Sequence, residues 1–411
     1  MVDCCSAPGL MPFEQALETM LGAITPITDV EKITLAEGLG RVLSTDVTSP
    51  INVPPHNNSA MDGYAFAHAS LENREFLSLV GRSMAGQPYL GTCGKGECIR
   101  IMTGAKIPEG CDTVEMQENC HMEGENVRFL ATRKMAEHVR YAGEDIKKGH
   151  VVFGKHRRLS AIDIGVLASL GINELNVFRK LNVALIATGD ELKALAQPLG
   201  SGDIYESNSY ALAAMLQNLN VNVINFGVIV DDASAIKNAF IEADRQADAV
   251  ISTGGVSIGD ADYTKQVLEE IGDIAFWKIA MKPGKPFAFG KLPNSLFFGL
   301  PGNPVSAMVT ADVLAIPALI KLQSCHAAPP ITLKAKTLTA LRKVPGRMDF
   351  QRGVLSTDNK GVLMVHSTGS QGSGILTSIA SANCYIVLAA EQGRVAALET
   401  VDVRLFERYF S

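Results

Sequence analysis

The chain carries one tryptophan in 411 residues, and aromatic residues make up only 6% of it. It has no long lysine or arginine run, and its formal net charge is -6. A nucleic-acid or anionic-membrane footprint needs clustered positive charge, so neither partner is expected. The eight cysteines, at positions 4, 5, 93, 98, 111, 120, 325 and 384, include no CxxC pair. That spacing excludes the usual zinc sites, and the pairs Cys4-Cys5 and Cys120-His121 do not replace them. Free thiols of a reducing compartment are expected. The N-terminus shows no basic segment followed by an apolar run, so no signal peptide is expected. No uninterrupted apolar stretch reaches bilayer length; residues 311–322 come nearest and carry Asp312 and Pro317. A cytoplasmic protein follows. No Ser/His/Asp or Cys/His arrangement stands out, and none of the eight histidines falls inside the motifs below. Acyl transfer through a covalent nucleophile is therefore disfavoured.

What is present is a long, well-packed chain. With 47% hydrophobic and 19% charged residues it reads as folded, and its length predicts two to four domains. Apolar spacing predicts helices over residues 13–22 and 33–43, and a proline-rich break follows at 49–55. Residues 56 to about 150 are rich in glycine and short strand-like runs, and read as a small β-rich module. A helix over 161–170 ends at Gly171, a good position for the left-handed residue after a helix. From Leu181 onward strands (183–187, 221–226, 249–252) alternate with helices (209–218, 233–243, 264–271). That alternation implies a doubly wound, mostly parallel sheet, which binds ligands at the carboxyl ends of its strands. From Ile331 the pattern returns to short strands, a separate small β domain.

The most informative stretch is Thr253-Gly254-Gly255-Val256-Ser257-Ile258-Gly259-Asp260-Ala261-Asp262-Tyr263, set between a buried strand and a helix start. Glycines let backbone approach an anion, and the helix N-terminus presents free N–H groups to it. Asp260 and Asp262 in the same turn suggest a metal ion or ribose hydroxyls beside the phosphates. Four further motifs fall at strand ends or in loops of this domain: Thr188-Gly189-Asp190-Glu191-Leu192, Ile204-Tyr205-Glu206-Ser207-Asn208, Lys282-Pro283-Gly284-Lys285-Pro286 and Pro301-Gly302-Asn303-Pro304-Val305-Ser306. Ser207 or Asn208 serves equally well as a helix cap or a ligand contact. Lys282 and Lys285 pre-set a positive pocket, and Ser306 is able to donate to an oxyanion. Outside the domain lie Asn57-Asn58-Ser59-Ala60-Met61-Asp62-Gly63-Tyr64 and Gly143-Glu144-Asp145-Ile146. The tail adds Pro345-Gly346-Arg347, Phe350-Gln351-Arg352-Gly353 and the loop 369–374, with arginines suited to oxyanions. Singly, each is more often a turn than a site. Together they suit metal-assisted handling of a phosphorylated ligand and an oxyanion.

These motifs in this order, with Ile101-Met102-Thr103-Gly104-Ala105, resemble the bacterial molybdopterin molybdenumtransferases and the gephyrin E domain. The resemblance runs from about Phe13 to Leu405. It implies four parts: a helical stalk (27–45 and 147–177), the β-rich module (46–146), a discontinuous α/β molybdopterin-binding domain (7–26 and 178–327), and a C-terminal β-barrel-like domain (328–411). It implies a homodimer whose site lies between the α/β domain of one subunit and the β-rich module of the other. The reaction it implies takes adenylylated molybdopterin and molybdate, inserts molybdenum and releases AMP with a divalent cation, Mg2+. Lys282, Lys285, Ser306, Arg352 and Ser373 would cage molybdate. Gly254, Gly255, Ser257, Gly259 and Pro301 would hold the cofactor side. Glu191, Asp231 and Asp262 are candidates for the metal or for ordering water. Asp62, Thr103 and Asp145 would close the site, and Asp62, Glu191, Asp262 and Lys282 would be catalytic. A molybdopterin adenylyltransferase and cofactor-acceptor proteins are the implied partners. A rival enzyme reading, the adenylyltransferase itself, needs only the α/β domain. A rival of another class is a scaffold that binds the cofactor without turning it over.

Overall fold

Strand residues that alternate between two apolar clusters show how the central sheet is covered. In the computed structural model, which describes residues 10–130, 134–255, 263–326 and 329–406, Val183 and Leu185 pack into one core while Ala184 and Ile186 pack into another. Successive side chains of a strand point to opposite faces, so both faces of this sheet are buried. The sheet has six strands in the order Asn222–Ile229, Asn182–Thr188, Ala249–Thr253, Leu296–Leu300, Pro286–Lys291, Asp273–Lys278. The first four pair in parallel, and Pro286–Lys291 runs antiparallel to both of its neighbours. Helices Asn208–Asn218, Ala233–Gln246 and Tyr263–Ile271 cover it, as the alternation predicts.

Helix Phe13–Ala23 packs on this domain from far away in sequence. Ala16 and Met20 are fully buried in its larger core, and Met11 exchanges backbone hydrogen bonds with Lys278 and Ala280. One helix, Pro304–Leu322, is by length and composition long and apolar enough to cross a membrane, against the expectation that no segment would be. Its apolar window is 83% buried inside the protein, so it is a core helix. A π-turn at Ala311–Ala315 carries buried Asp312 across the point where the sequence looked interrupted.

The stalk segments correct a second expectation. Residues 27–45 are not helical: Val30–Thr34 is a strand, followed by one 3-10 turn, Leu35–Glu37. The strand pairs antiparallel with Glu174–Phe178, from Val30↔Phe178 to Thr34↔Glu174. Leu35, Leu39, Val42 and Leu43 mimic helical spacing, but Gly40 sits at φ +74° and Leu39 is 60% exposed. Only Ala161–Ser169 is helical here, capped by Ser160 and Asp163.

The β-rich module is a six-stranded sheet, ordered Thr113–Met116, Gly63–Phe66, Glu97–Ile101, Phe76–Ser83, Asn126–Phe129, Cys120–Glu123. The C-terminal domain closes into a barrel. Met348–Thr357 pairs with both Leu363–Ser367 and Cys384–Leu388, while Thr332–Thr337 and Thr400–Leu405 complete the ring. The short strand Met281–Lys282 of the α/β domain adds to its edge, parallel to Met348–Thr357. Among the described residues Cys93, Cys98, Cys111, Cys120, Cys325 and Cys384 are free thiols, as expected.

Candidate active site at the strand edge

Register brings three turns together. Ala187 lies beside Thr253, and Thr253 beside Leu300, so the chain leaves these neighbouring parallel strands at nearly one level. The turn glycines are there because nothing larger fits. A Cβ on Gly254, at φ +86°, would lie 2.3 Å from the Thr188 carbonyl oxygen. On Gly255, at φ +63°, it would lie 2.2 Å from Thr264 Oγ1. Asn208 ties two turns together: its Nδ2 donates to Thr253 Oγ1 at 2.7 Å and to the Gly302 carbonyl at 2.8 Å. Thus the Asn208 amide nitrogen is a strut between two turns rather than a helix cap. Helix capping falls instead to Glu206, whose Oε1 accepts from the Ser209 amide. Thr188 Oγ1, Thr264 Oγ1 and Asn208 Oδ1 are buried with no hydrogen-bond partner among the described residues. Buried polar atoms are ordinarily paired, so a set of unspent ones around a glycine turn points to a ligand. Ser257, Gly259, Asp260 and Asp262 lie outside the described residues.

Beside this edge three exposed carboxylates repel one another. The Asp231 amide donates to Asp190 Oδ1 at 3.1 Å. Burial first, then the charges of Asp190 and Glu191, raise the Asp231 carboxyl above its ordinary pKa. Oxygen donors of this kind suit a hard cation. Among the described residues, however, no three His, Cys, Asp or Glu side chains gather closely enough to hold a metal by themselves. A carboxyl whose pKa is raised by folding stabilises the fold below its unfolded pKa, and that contribution is lost as pH rises through the folded value. A bound cation favours the ionised form and opposes this loss. Magnesium should therefore raise the Tm of the wild type near neutral pH, and raise it less in Asp231→Asn. Thermal scans with and without magnesium decide the matter: equal gains in both proteins would remove Asp231 from the metal set.

The loop that follows Met281 is cationic. Lys282 is exposed, and its Nζ lies 3.7 Å from Asp349 Oδ2 of the barrel. Lys285 is half-buried in the same loop, which Gly284 at φ +100° lets pack against Thr310. Ser306 is buried in the first turn after Pro301. The barrel loop docks there, for the Ser373 carbonyl accepts from the Val305 amide at 3.0 Å. Lys282, Lys285, Ser306 and Ser373 thus come from the sections of chain expected to meet.

Arg352 departs from expectation. It is 1% exposed, and its guanidinium donates to Ser378 Oγ and to the Gly372 carbonyl, each at 3.2 Å. It braces the loop bearing Ser373 from below and does not present itself as an oxyanion ligand. The reason is its place in Met348–Thr357, where it shares a face with Phe350 and Tyr385, which pack into the core of the α/β domain.

Asp62 and Thr103 meet in the β-rich module, and Asp145 lies on a separate turn beside Val53. Asp62 Oδ1 accepts from both the Thr103 amide and Thr103 Oγ1, each at 2.7 Å. These bonds, the amide first, lower the Asp62 pKa below its ordinary value. The Asp145 amide donates to the Val53 carbonyl, and its side chain is exposed. Arg100, which sequence reading passed over, donates to the Gly63 carbonyl at 2.9 Å and lies over the Tyr64 ring at 5.1 Å. No hydrogen bond or ion pair among the described residues links this module to the strand edge of the same chain.

Comparison with known proteins accounts for all three regions. Residues 11–171 match the MoeA N-terminal region (domain I and II), 184–321 a probable molybdopterin binding domain, and 334–406 the MoeA C-terminal region (domain IV). The chain is 44% identical to the molybdopterin molybdenumtransferase of Haemophilus influenzae, over 97% of this chain and 99% of that one. It is 35% identical to the Nostoc protein of the same name, over 88% and 85%, and 32% identical to gephyrin of Dictyostelium discoideum, over 95% and 61%. Among solved structures, the molybdopterin biosynthesis MoeA protein of Pyrococcus horikoshii superposes with a TM-score of 0.83 at 29% identity, covering 97% of this chain and 100% of that one.

Proposed function

We propose that this chain, which belongs to the molybdopterin molybdenumtransferase family, inserts molybdenum from molybdate into adenylylated molybdopterin and releases AMP. Near end-to-end identity to a named transferase carries the reading, because an adenylyltransferase needs only the α/β domain. The site geometry supports it. Backbone of the Gly254 and Gly302 turns takes the phosphorylated part of the ligand, beside the unspent Thr188, Asn208 and Thr264 atoms. Lys282, Lys285 and Ser306 bind the incoming oxyanion, and the Ser373 loop braced by Arg352 closes over it. Two anions otherwise repel; fixed cations and amides that are already oriented lower that cost without reorganising. Glu191 and Asp231, with Asp262, would hold Mg2+, which supplies charge neutralisation at the phosphates.

Asp62, Thr103 and Asp145 close the site from the facing module of a second subunit. The same reading covers the four-part domain division, a cytoplasmic location, supply by a molybdopterin adenylyltransferase, and delivery to cofactor-acceptor proteins. The test is AMP release from adenylylated molybdopterin, with and without molybdate and magnesium. Molybdate-dependent AMP, with molybdenum recovered on the pterin, is the expected result. Tight binding with no AMP under any of those conditions would establish a scaffold instead.

A further inference from the structure

A second concentration of charge lies where the barrel meets the Lys282 loop. A cavity of about 260 Å³ is lined by Lys282, Arg342, Lys343, Arg347, Arg394 and Asp349. Five basic side chains face one carboxylate there, in a protein of net charge -6. Ser306, Ser373 and Arg352 do not line it, so it is separate from the strand-edge site and shares only Lys282 with it.

The walls are held in place before any ligand arrives. Gln351 Nε2 bridges the Arg342 carbonyl at 2.8 Å and Asp349 Oδ2 at 3.0 Å. The Gly346 amide donates to the Ala390 carbonyl at 2.7 Å, and Leu341 pairs with Val395, which ties the segment bearing Arg342 and Arg347 to that bearing Arg394. Lys343 Nζ is buried and donates to the Arg347 carbonyl at 2.6 Å, which anchors its charge beneath the cavity. Asp349 is already engaged by Lys282. Among the described residues Arg342, Arg347 and Arg394 have no ion pair. The fold draws no stabilisation from bringing these like charges together, and a concave wall of one sign focuses potential on counter-ions.

We propose that this cavity is a binding site for a tetrahedral dianion, an inorganic oxyanion or the phosphate of a monoester. Arginine forks match tetrahedral oxyanion edges through paired N–H donors, and charge-assisted bonds of this kind are the strong ones. The site stands on its own lining and does not depend on the reaction proposed above.

The experiment is calorimetric titration of the intact protein with molybdate alone, inorganic phosphate alone and AMP alone, without pterin. The variants are R342Q/R394Q, whose parent side chains are exposed and carry no partner, and D349N. The wild type should show a binding event that R342Q/R394Q weakens by about a hundredfold, roughly tenfold for each charge-assisted contact. That event should weaken with added salt, and less steeply in the double variant. D349N, which removes the one negative charge, should tighten it. Preference for inorganic anions would identify an oxyanion site, and preference for AMP a phosphomonoester site; either supports the proposal. Equal affinity and equal salt dependence in wild type and R342Q/R394Q for all three probes would overturn it, whatever the AMP-release assay shows.

Discussion

Asp62→Ala is expected to leave a folded protein whose molybdate-dependent AMP release falls by about a hundredfold or more, the usual cost of removing one pre-organised polar group from a reaction site. Asp62 is held by two donors from Thr103, both on the same carboxylate oxygen, which leaves the second oxygen for a ligand. Those bonds favour the ionised form, so the carboxylate persists to lower pH than usual. By linkage, such a depressed acid contributes stability above its unfolded pKa and loses it as pH falls through the folded value. Asp62 is only partly buried, so the stability effect of the substitution should be small beside the catalytic effect. Asp62→Asn separates charge from shape: it retains an acceptor for Thr103 and should still lose most of the activity. Steady-state turnover beside a thermal scan reads both quantities. Wild-type turnover in Asp62→Ala would remove Asp62 from the site.

Gly63→Ala should do the reverse, collapsing the β-rich module before chemistry can be measured. A Cβ at Gly63 would lie 1.7 Å from the Glu115 carbonyl oxygen, which is backbone and cannot swing aside. Gly63 is paired on both sides, with Ile101 and with Met116, so the strand cannot shift without breaking two ladders. Its carbonyl also accepts from Arg100. Overpacking of this severity belongs in the tail of substitutions that cost more than about 4 kcal/mol. Gly22→Ala supplies the contrast. Gly22 sits in helix Phe13–Ala23 with nothing within 4 Å of an added Cβ, so alanine there should stabilise by about 0.5–1 kcal/mol. Chemical denaturation of both variants checks the pair, and a Gly63→Ala midpoint equal to the wild type's would show that the Glu115 contact is relieved at no cost.

These two neighbours divide the Asn58 to Tyr64 motif into a chemical part and a structural part, a division invisible in the string of letters. Other parts were legible. Buried strands of 4–8 residues ending in glycine turns specify a parallel sheet and its ligand edge, because local hydrophobic period and turn chemistry act over a few residues. The helices of the α/β domain, the β-rich module and the β tail all follow from that local signal. Where local signal and long-range pairing competed, pairing won. Residues 33–43 carry apolar spacing compatible with a helix, yet the ladder to Glu174–Phe178, some 140 residues on, draws Val30–Thr34 into a strand.

Side-chain roles needed the tertiary structure most. Arg352 reads as an oxyanion ligand, but packing of its strand face on the α/β-domain core buries it against Ser378 and Gly372. Asn208 reads as a cap or a ligand contact, and strand register sets Thr253 and Gly302 within reach of its amide nitrogen. The cationic cavity combines Lys282 with residues 342–349 and 394, and only barrel closure places them on one wall. The sequence by itself determined most of the elements, the glycine turns and the family, because those depend on neighbours in the chain. Tertiary structure decided which charges are spent and which remain free, because burial and ion pairing depend on neighbours in space.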